Sequence, residues 1–232
     1  MIPIRDDAPR SITPSVTYFL VALNSLIFLF EATLPDAALS GFVFQFGVVP
    51  AKVSAALAGA GQVSLESALL PMFTSMFLHG SWLHLISNMW VLLIFGDNLE
   101  DYLGHFRYLL FYLATGIAAS IVHFLFNQGS PVPSVGASGA IAGVMGAYFF
   151  LFPSARVLTI VPFIFLSVWL PAWIVLGYWF LAQFINGFES TINHAGLRGG
   201  GIAFWAHVGG FIAGASVIKL LPKRPPRFSF DR

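Results

Sequence analysis

Six apolar segments, separated by shorter polar stretches, dominate this sequence of 232 residues. They are Val16–Leu34, Trp82–Phe95, Phe106–Phe126, Val135–Phe152, a stretch within Val157–Ile185, and Gly201–Leu221. A helix needs about 20 apolar residues to cross the hydrocarbon of a bilayer. The fifth stretch exceeds one crossing and is too short for two, so we interpret Val157–Leu166 as an approach and Pro171–Ile185 as the helical body. The pattern predicts an all-α integral membrane protein, a bundle of six transmembrane helices.

Composition excludes the soluble classes of protein. Charged residues make up 9% of the chain and hydrophobic residues 57%, whereas roughly a quarter of a soluble domain is charged. The net charge of +1 provides no basic field that would attract nucleic acid. Because the chain has no cysteine, it can form neither disulfides nor thiolate metal sites. We therefore expect a lipid bilayer as the environment, with no nucleic-acid partner, metal or cofactor.

The basic residues predict the orientation in the membrane. With six crossings, nine Lys and Arg residues lie on the side of both termini, and only Lys52 and Arg198 lie on the other. The positive-inside rule then places both termini in the cytoplasm. We divide the chain into a short cytoplasmic N-terminus (1–15), a six-helix membrane domain (16–221) and a short basic tail (222–232). The N-terminus contains Asp6 and Asp7 and no small-residue cleavage site, so no removable signal peptide is predicted.

The first outer connection, Pro35–Ser81, is unusually long at 47 residues. It contains an Ala-rich piece and an apolar piece, and an amphipathic helix lying in the membrane interface is one interpretation. The other outer connections are Asn127–Ser134 and Asn186–Gly200.

Four polar residues on three non-adjacent segments are predicted to lie at a similar depth below the outer surface. His84 and Asn88 occupy one face at the start of segment two, because residues four apart share a helix face. Ser138 lies in the first turn of segment four, and His207 follows about two turns into segment six. Taken singly, each side chain is most simply explained by a structural hydrogen bond within the helix bundle. Their coincidence in depth indicates a site.

Small residues favour a close approach of segments four and six. Gly136, Gly139 and Gly143 line segment four, and Gly210 and Gly214 line segment six at the spacing of small helix-packing faces. Such an approach brings the Ser138 hydroxyl within reach of the His207 ring, as base-assisted nucleophilic attack requires.

The same residues fit an oxyanion hole. The first backbone N–H groups of a helix are unpaired and lie beside Ser138, while Asn88 and His84 offer side-chain donors. None of the ten carboxylates lies near His207 in segments two, four or six. We therefore predict a Ser–His dyad in which packing orients the histidine. Slow turnover is expected, because a carboxylate normally stabilises the imidazolium.

These residues, in this order, resemble those of a known family, the rhomboid intramembrane serine proteases in their basic six-helix form. The correspondence runs from about Leu70 to Gly214. It comprises His79, His84 and Asn88 in FTSMFLHGSWLHLISNMW; Glu100, Gly104, Arg107 and Tyr112; Ser138 in GASGA; and His207 in AHVGGFIAG. Each motif is weak alone, but the set in this order is specific.

The resemblance implies cleavage of single-pass membrane proteins within or beside their transmembrane helix. In the family the serine attacks the scissile carbonyl, the segment-six histidine acts as base, and His84 and Asn88 match oxyanion-hole positions. Segment five matches a proposed lateral gate. An aromatic residue that stacks on the histidine in some members is replaced here by Ala142, so we expect an aromatic from another segment. Because no soluble domain is appended, a prokaryotic plasma membrane is favoured.

Two alternatives remain open. A catalytically inactive rhomboid-like protein that binds and escorts membrane proteins typically lacks the serine or the histidine, whereas this chain has both. A small transporter or channel needs an ionisable pathway through the bilayer, whereas these polar residues cluster at one end. Other intramembrane proteases are excluded by the absence of an H-E-x-x-H motif and of a second aspartate at membrane depth.

Overall fold

The computed structural model of the chain describes residues 1–60, 63–161, 166–193 and 203–224. Most of these residues are helical. Six helices coincide with the six apolar segments: α1 (Ser15–Glu31), α6 (Trp82–Leu103), α7 (His105–Phe126), α8 (Ser138–Leu151), α9 (Ala172–Ile192) and α10 (Phe204–Val217). A 3₁₀ turn, Ile218–Leu220, continues α10. The predicted start of segment six at Gly201 lies outside the described residues.

By length and apolar composition, one described helix, α7, can cross a membrane on its own. The chain Leu65–Phe77 and α6 pass the same test as a pair bent by 74°, and α1, α8 and Phe204–Leu220 are shorter apolar helices. The number of six crossings stays a prediction.

Helices also occupy the first connection. Between α1 and α6 lie α2 (Asp36–Phe46), α3 (Pro50–Leu57), α4 (Leu65–Leu69), α5 (Pro71–Thr74) and a 3₁₀ turn at Ser75–Phe77. The buried Glu31 carboxylate at the end of α1 accepts a hydrogen bond from the backbone N–H of His79, with an N···O distance of 3.1 Å. This bond holds the last part of the connection beside α1, immediately before α6 begins.

A small antiparallel sheet is the main feature of the fold that was not predicted from the sequence. It consists of β1 (Ile2–Asp6), β2 (Arg156–Val161) and β3 (Leu166–Pro171), with β2 in the middle. The prediction of a helical bundle holds for the main body. Of the predicted approach to segment five, Val157–Leu166, residues 157–161 belong to β2 and Leu166 begins β3, while residues 162–165 lie outside the described part of the chain. Apolar residues with β-branching form strands as readily as helices, and β2 finds partners on both sides.

Two helices extend further than predicted. Segment two does not end at Phe95, because α6 continues to Leu103 through Asp97, Glu100 and Asp101, and segment five continues beyond Ile185 to Ile192. In α6 the extra polar side chains are bonded to other elements. The fully buried Glu100 carboxylate accepts bonds from the backbone N–H groups of Val16 and Thr17 at 2.9 and 2.8 Å. Glu100 thus caps α1 from another helix, which explains why a carboxylate is tolerated inside the bundle.

Both termini are fastened to the same end of α6. Arg10 pairs with Asp97 at 2.8 Å, and Arg224 pairs with Asp101 at 2.7 Å. The Arg224 guanidinium also donates to the hydroxyl of Ser11 at 2.6 Å. The part of the tail that is described is therefore bound to the bundle, and residues 225–232 lie outside the described part of the chain.

The centre of the bundle is α8, in which every residue from Gly139 to Tyr148 is buried. It packs against α10 with almost no space between the backbones. A Cβ atom added at Gly210 would lie 2.0 Å from the carbonyl oxygen of Gly139, and one at Gly214 would lie 1.9 Å from that of Gly143. The predicted close approach of segments four and six is therefore present.

Gly210→Ala is expected to destabilise the bundle, because the methyl group meets backbone that cannot rotate away. Overpacking of this kind costs about 3 kcal/mol, which corresponds to a fall in Tm of roughly 6–12 °C for a chain of this size. Thermal unfolding in detergent measures this. Gly41→Ala is the matched control, since nothing lies within 4 Å of its Cβ position. An unchanged Tm for Gly210→Ala would show that α8 and α10 are further apart.

One carboxyl group of β1 is held in an environment that disfavours its charge. Burial raises the pKa of Asp6 from its ordinary value of 3.8 to about 6, although the hydroxyl of Tyr148 donates a hydrogen bond to this carboxylate and opposes the shift. Because the folded pKa exceeds the unfolded one, the folded state binds the proton more tightly. The resulting stabilisation is present at low pH and is lost as the pH rises through about 6.

Asp6→Asn is therefore expected to gain stability relative to the wild type as the pH is raised from about 4 to 7. A shift of about two pKa units corresponds to about 3 kcal/mol, which partial exposure of the carboxyl reduces to about 1 kcal/mol. The difference in Tm between the two proteins, measured across this pH range, isolates Asp6 from other titrating groups. A difference that stays constant with pH would contradict the raised pKa.

Candidate active site

Ser138 and His207 are in hydrogen-bond contact. Ser138 is the first residue of α8, and His207 lies in the first turn of α10 rather than two turns into the segment. The Ser138 Oγ is 2.7 Å from the Nε2 atom of His207. The close backbone approach at Gly139 and Gly210 makes this contact possible, because a larger residue at either position would push α8 and α10 apart.

His84 and Asn88 reach the same place from α6. The hydroxyl of Ser81 caps α6 by accepting from the backbone N–H of His84 at 3.1 Å, which fixes where the helix begins. Gly136, two residues before Ser138, has a φ of +129°, and a Cβ there would lie 2.7 Å from the Nε2 atom of His84 and 3.7 Å from the Nδ2 atom of Asn88. Only glycine fits here, on both conformational and steric grounds. Gly136 thus allows the backbone just before Ser138 to lie against the two α6 side chains.

The side-chain amide of Asn88 has an unused donor. Its Nδ2 atom is buried and has no hydrogen-bond partner among the described residues. An unpaired buried donor is costly and calls for an explanation, of which a catalytic role is one. Here it lies next to the backbone that leads into Ser138.

Two side chains of α9 contact His207, and neither was predicted from the sequence as a site residue. The Oε1 atom of Gln183 is 2.7 Å from the Nδ1 atom of His207. Trp179, one turn earlier, has its ring centroid 5.6 Å from that of His207. The expected aromatic from another segment is therefore Trp179. The prediction that packing orients His207 did not include a polar partner, and the structure adds the Gln183 hydrogen bond to the Trp179 contact. A glutamine in the middle of an apolar helix was the signal that could have found it.

His79, the remaining histidine of the segment-two motif, lies one layer away from Ser138. Its ring is 5.1 Å from that of His84, and burial lowers the pKa of His79 to about 3, so the ring is neutral. Within the described residues, no group of three or more His, Asp or Glu side chains is arranged to hold a metal ion.

The site opens into a cavity of about 1240 Å³ at the end of the bundle where α6, α8 and α10 begin. Its walls include His84, Asn88, Ser138, Trp179, Gln183 and His207. All of the predicted site residues that bear polar side chains therefore share one cavity. Hydroxyl, imidazole and amide groups converge there at one end of the bundle.

Comparison with known proteins decides the family. The model of the rhomboid domain matches residues 66–224, which is more than half of the chain. The chain belongs to the rhomboid family. This rhomboid is therefore an integral membrane protein, as its apolar segments predict.

Three relatives illustrate the similarity. The rhomboid is 34% identical over 143 residues to Rhomboid protease GluP of Bacillus subtilis, covering 62% of this chain and 26% of the relative. It is 35% identical over 146 residues to Rhomboid protein 1, mitochondrial, of Saccharomyces cerevisiae, covering 60% and 38%. It is 47% identical over 76 residues to RHOMBOID-like protein 6, mitochondrial, of Arabidopsis thaliana, covering 33% and 24%.

The matched part of this rhomboid spans less than two fifths of the length of each of these three relatives. The relatives come from a bacterium and from the mitochondria of eukaryotes. The comparisons thus support a membrane location and do not support the prokaryotic plasma membrane in particular.

Proposed function

We propose that this rhomboid is an intramembrane serine endopeptidase that cleaves transmembrane segments of membrane proteins, with Ser138 as nucleophile and His207 as base. The observation that carries the proposal is the 2.7 Å contact between Ser138 Oγ and His207 Nε2. A serine hydroxyl is a weak nucleophile, and a neighbouring base that accepts its proton is the usual means of activation. The membership of the family and a relative named as a rhomboid protease support the same chemistry.

The reaction proceeds in two steps, acylation of Ser138 and hydrolysis of the acyl-enzyme. The Oγ atom of Ser138 attacks the scissile carbonyl carbon while His207 Nε2 takes the hydroxyl proton. The resulting tetrahedral oxyanion collapses, the C–N bond breaks, and the imidazolium returns the proton to the departing amine. Water then attacks the acyl-enzyme with His207 again as base, which releases the carboxyl product and restores Ser138.

Donors around Ser138 would stabilise the oxyanion. The first N–H groups of α8 have no partner within the helix, and they lie at the positive end of its dipole. The unpaired Nδ2 atom of Asn88 and the ring of His84 add side-chain donors from α6. A donor that is already in place when charge develops costs no reorganisation, which is why such sites are effective.

The proposed substrate class comes from the family, whose members act on transmembrane substrates within the bilayer. A single-pass transmembrane helix can approach through the bilayer, and the cavity of about 1240 Å³ is large enough for several residues of unwound chain. We further propose six crossings with both termini in the cytoplasm, which places the cavity on the outer side. Among the described residues, the partner of His207 Nδ1 is the uncharged Gln183 rather than a carboxylate that would stabilise the imidazolium, so slow turnover is expected.

Labelling with a fluorophosphonate tests the proposal directly, because this reagent reacts with activated serine hydroxyls. The purified wild-type protein in detergent is expected to become labelled at Ser138, as mapped by peptide mass spectrometry, and heat-denatured protein is expected to stay unlabelled. Folded protein that neither reacts nor cleaves a transmembrane substrate would instead indicate the inactive, membrane-protein-binding alternative.

A further inference from the structure

Two other helices contact the ring of His207, and each supplies a polar partner for one of its nitrogens. Nε2 faces Ser138 of α8, and Nδ1 faces the Gln183 amide of α9 at 2.7 Å. Trp179, also of α9, covers the ring. A neutral imidazole carries one proton, so these two contacts decide which nitrogen bears it.

Gln183 can hold the ring in the form that a base needs. When its Oε1 atom faces Nδ1, that nitrogen must carry the proton and donate a hydrogen bond to the amide oxygen. Nε2 is then unprotonated and can accept the proton of Ser138. With the opposite tautomer, Nε2–H would face the serine hydroxyl and no base would be present. An amide oxygen is therefore sufficient to select the tautomer, although it adds no charge.

We propose that Gln183 is a positioning residue of this rhomboid, which selects the Nδ1–H tautomer of His207 and aims Nε2 at Ser138. This inference rests on the proposed Ser–His chemistry, in which His207 is the base. It also means that the site is complete only when α9 is packed against α10, since the dyad itself comes from α8 and α10.

The other contacts between α9 and α10 provide controls that distinguish a positioning role of Gln183 from a role in holding the two helices together. The indole N–H of Trp205 donates to the hydroxyl of Thr191 at 2.9 Å, and Phe180 packs on Phe211 with ring centroids 4.7 Å apart. Thr191→Val removes a hydrogen bond between the same two helices without touching His207. Gln45 is an exposed glutamine on α2, outside the site, and provides chemically identical control substitutions.

The electrostatic surroundings of His207 make a charge at position 183 informative. Among the described residues, His84 of α6 and His123 of α7 are the titratable groups that act on it electrostatically, while α8 and α9 present the neutral Ser138, Gln183 and Trp179. Glu189, near the end of α9, lines the same cavity. A carboxylate introduced at position 183 would therefore be the only anion bonded directly to the ring among the described residues.

The experiment compares cleavage of one transmembrane substrate by the wild type and by five variants: Gln183→Leu, Gln183→Glu, Thr191→Val, Gln45→Leu and Gln45→Glu. Gln183→Leu is expected to lower kcat by about 10- to 100-fold with little change in KM. The His207 ring loses its orientation, whereas the contacts between the enzyme and the substrate are kept. Gln183→Glu retains the acceptor and is expected to keep kcat at least about tenfold above that of Gln183→Leu. In the pH profile of kcat for Gln183→Glu, the acidic limb should move to higher pH by about one unit, since a nearby anion favours the imidazolium. Thr191→Val and the Gln45 variants are expected to keep the wild-type pH profile.

Either of two kinetic results would overturn the inference: wild-type kcat in Gln183→Leu, or equally low kcat in both Gln183 variants with an unmoved pH profile. A second measurement needs no activity. In ¹⁵N-histidine NMR spectra, with His207 assigned by its loss in His207→Ala, the wild type should show Nδ1–H and Gln183→Leu a mixture of tautomers. A wild-type ring protonated at Nε2 would refute the role of Gln183. Failure of the proposed function itself would appear differently, as wild-type protein without cleavage or labelling.

Discussion

Ser138→Ala is expected to lower kcat for cleavage of a transmembrane substrate by roughly 10⁴-fold or more, leaving a rate near the detection limit. Without the hydroxyl no acyl-enzyme can form, and any residual rate would come from water attacking a carbonyl held in the oxyanion hole. His207→Ala is expected to have nearly the same effect. Because the two side chains act as one unit at 2.7 Å, the double variant should be no slower than either single variant.

The measurement is cleavage of a purified single-pass substrate in detergent or in reconstituted bilayers, followed over time by gel. Ser40→Ala is the control, since Ser40 is exposed on α2 and makes no side-chain hydrogen bond within the described residues. Thermal unfolding of each variant shows that it is folded. Cleavage at the wild-type rate by a folded Ser138→Ala or His207→Ala protein would exclude the proposed chemistry.

Asn88→Ala is expected to lower kcat by about 10²- to 10³-fold, the usual loss when one oxyanion donor is removed. The physical reason is the buried Nδ2 atom, which has no partner among the described residues and lies beside the chain that leads to Ser138. Since this donor would bond the oxyanion more strongly than the ground-state carbonyl, KM should change little.

Separate determination of kcat and KM checks this expectation. Asn24→Ala is a matched control, because Asn24 is also a buried amide of the bundle but its Nδ2 atom is bonded to the carbonyl of Leu20 at 2.7 Å. That variant should lose stability and keep kcat. If Asn88→Ala raised KM alone, Asn88 would be a substrate-binding residue rather than an oxyanion donor.

Much of the site could be predicted because membranes make polar residues conspicuous. Ser138, His207, His84 and Asn88 stand out as polar groups at the start of apolar segments, and each costs free energy unless it has a partner or a function. Gly210 and Gly214 were equally readable, because small residues four apart on a helix face predict a close neighbour. The structure brings these positions together as the pattern indicates.

The features that escaped prediction are those that depend on a partner distant in the chain. The strand β2 forms because β1 and β3 are available to pair with it, and neither pairing is visible in the apolar run itself. The extension of α6 beyond Phe95 depends on Glu100 capping α1 and on Asp97 and Asp101 pairing with arginines near the termini. A carboxylate ends an apolar segment in a sequence, but it need not end a helix.

The sequence by itself determined the membrane setting, the positions of six helices and the chemical groups gathered at one end of the bundle, because hydropathy and residue type are local properties. Only the tertiary structure decided which side chain holds the second nitrogen of His207. Gln183 reaches it because α9 packs beside α10, and the geometry of that contact belongs to neither helix alone. Hydrogen bonds between helices depend on tenths of an ångström in their separation and rotation, which no spacing of residues along the chain encodes.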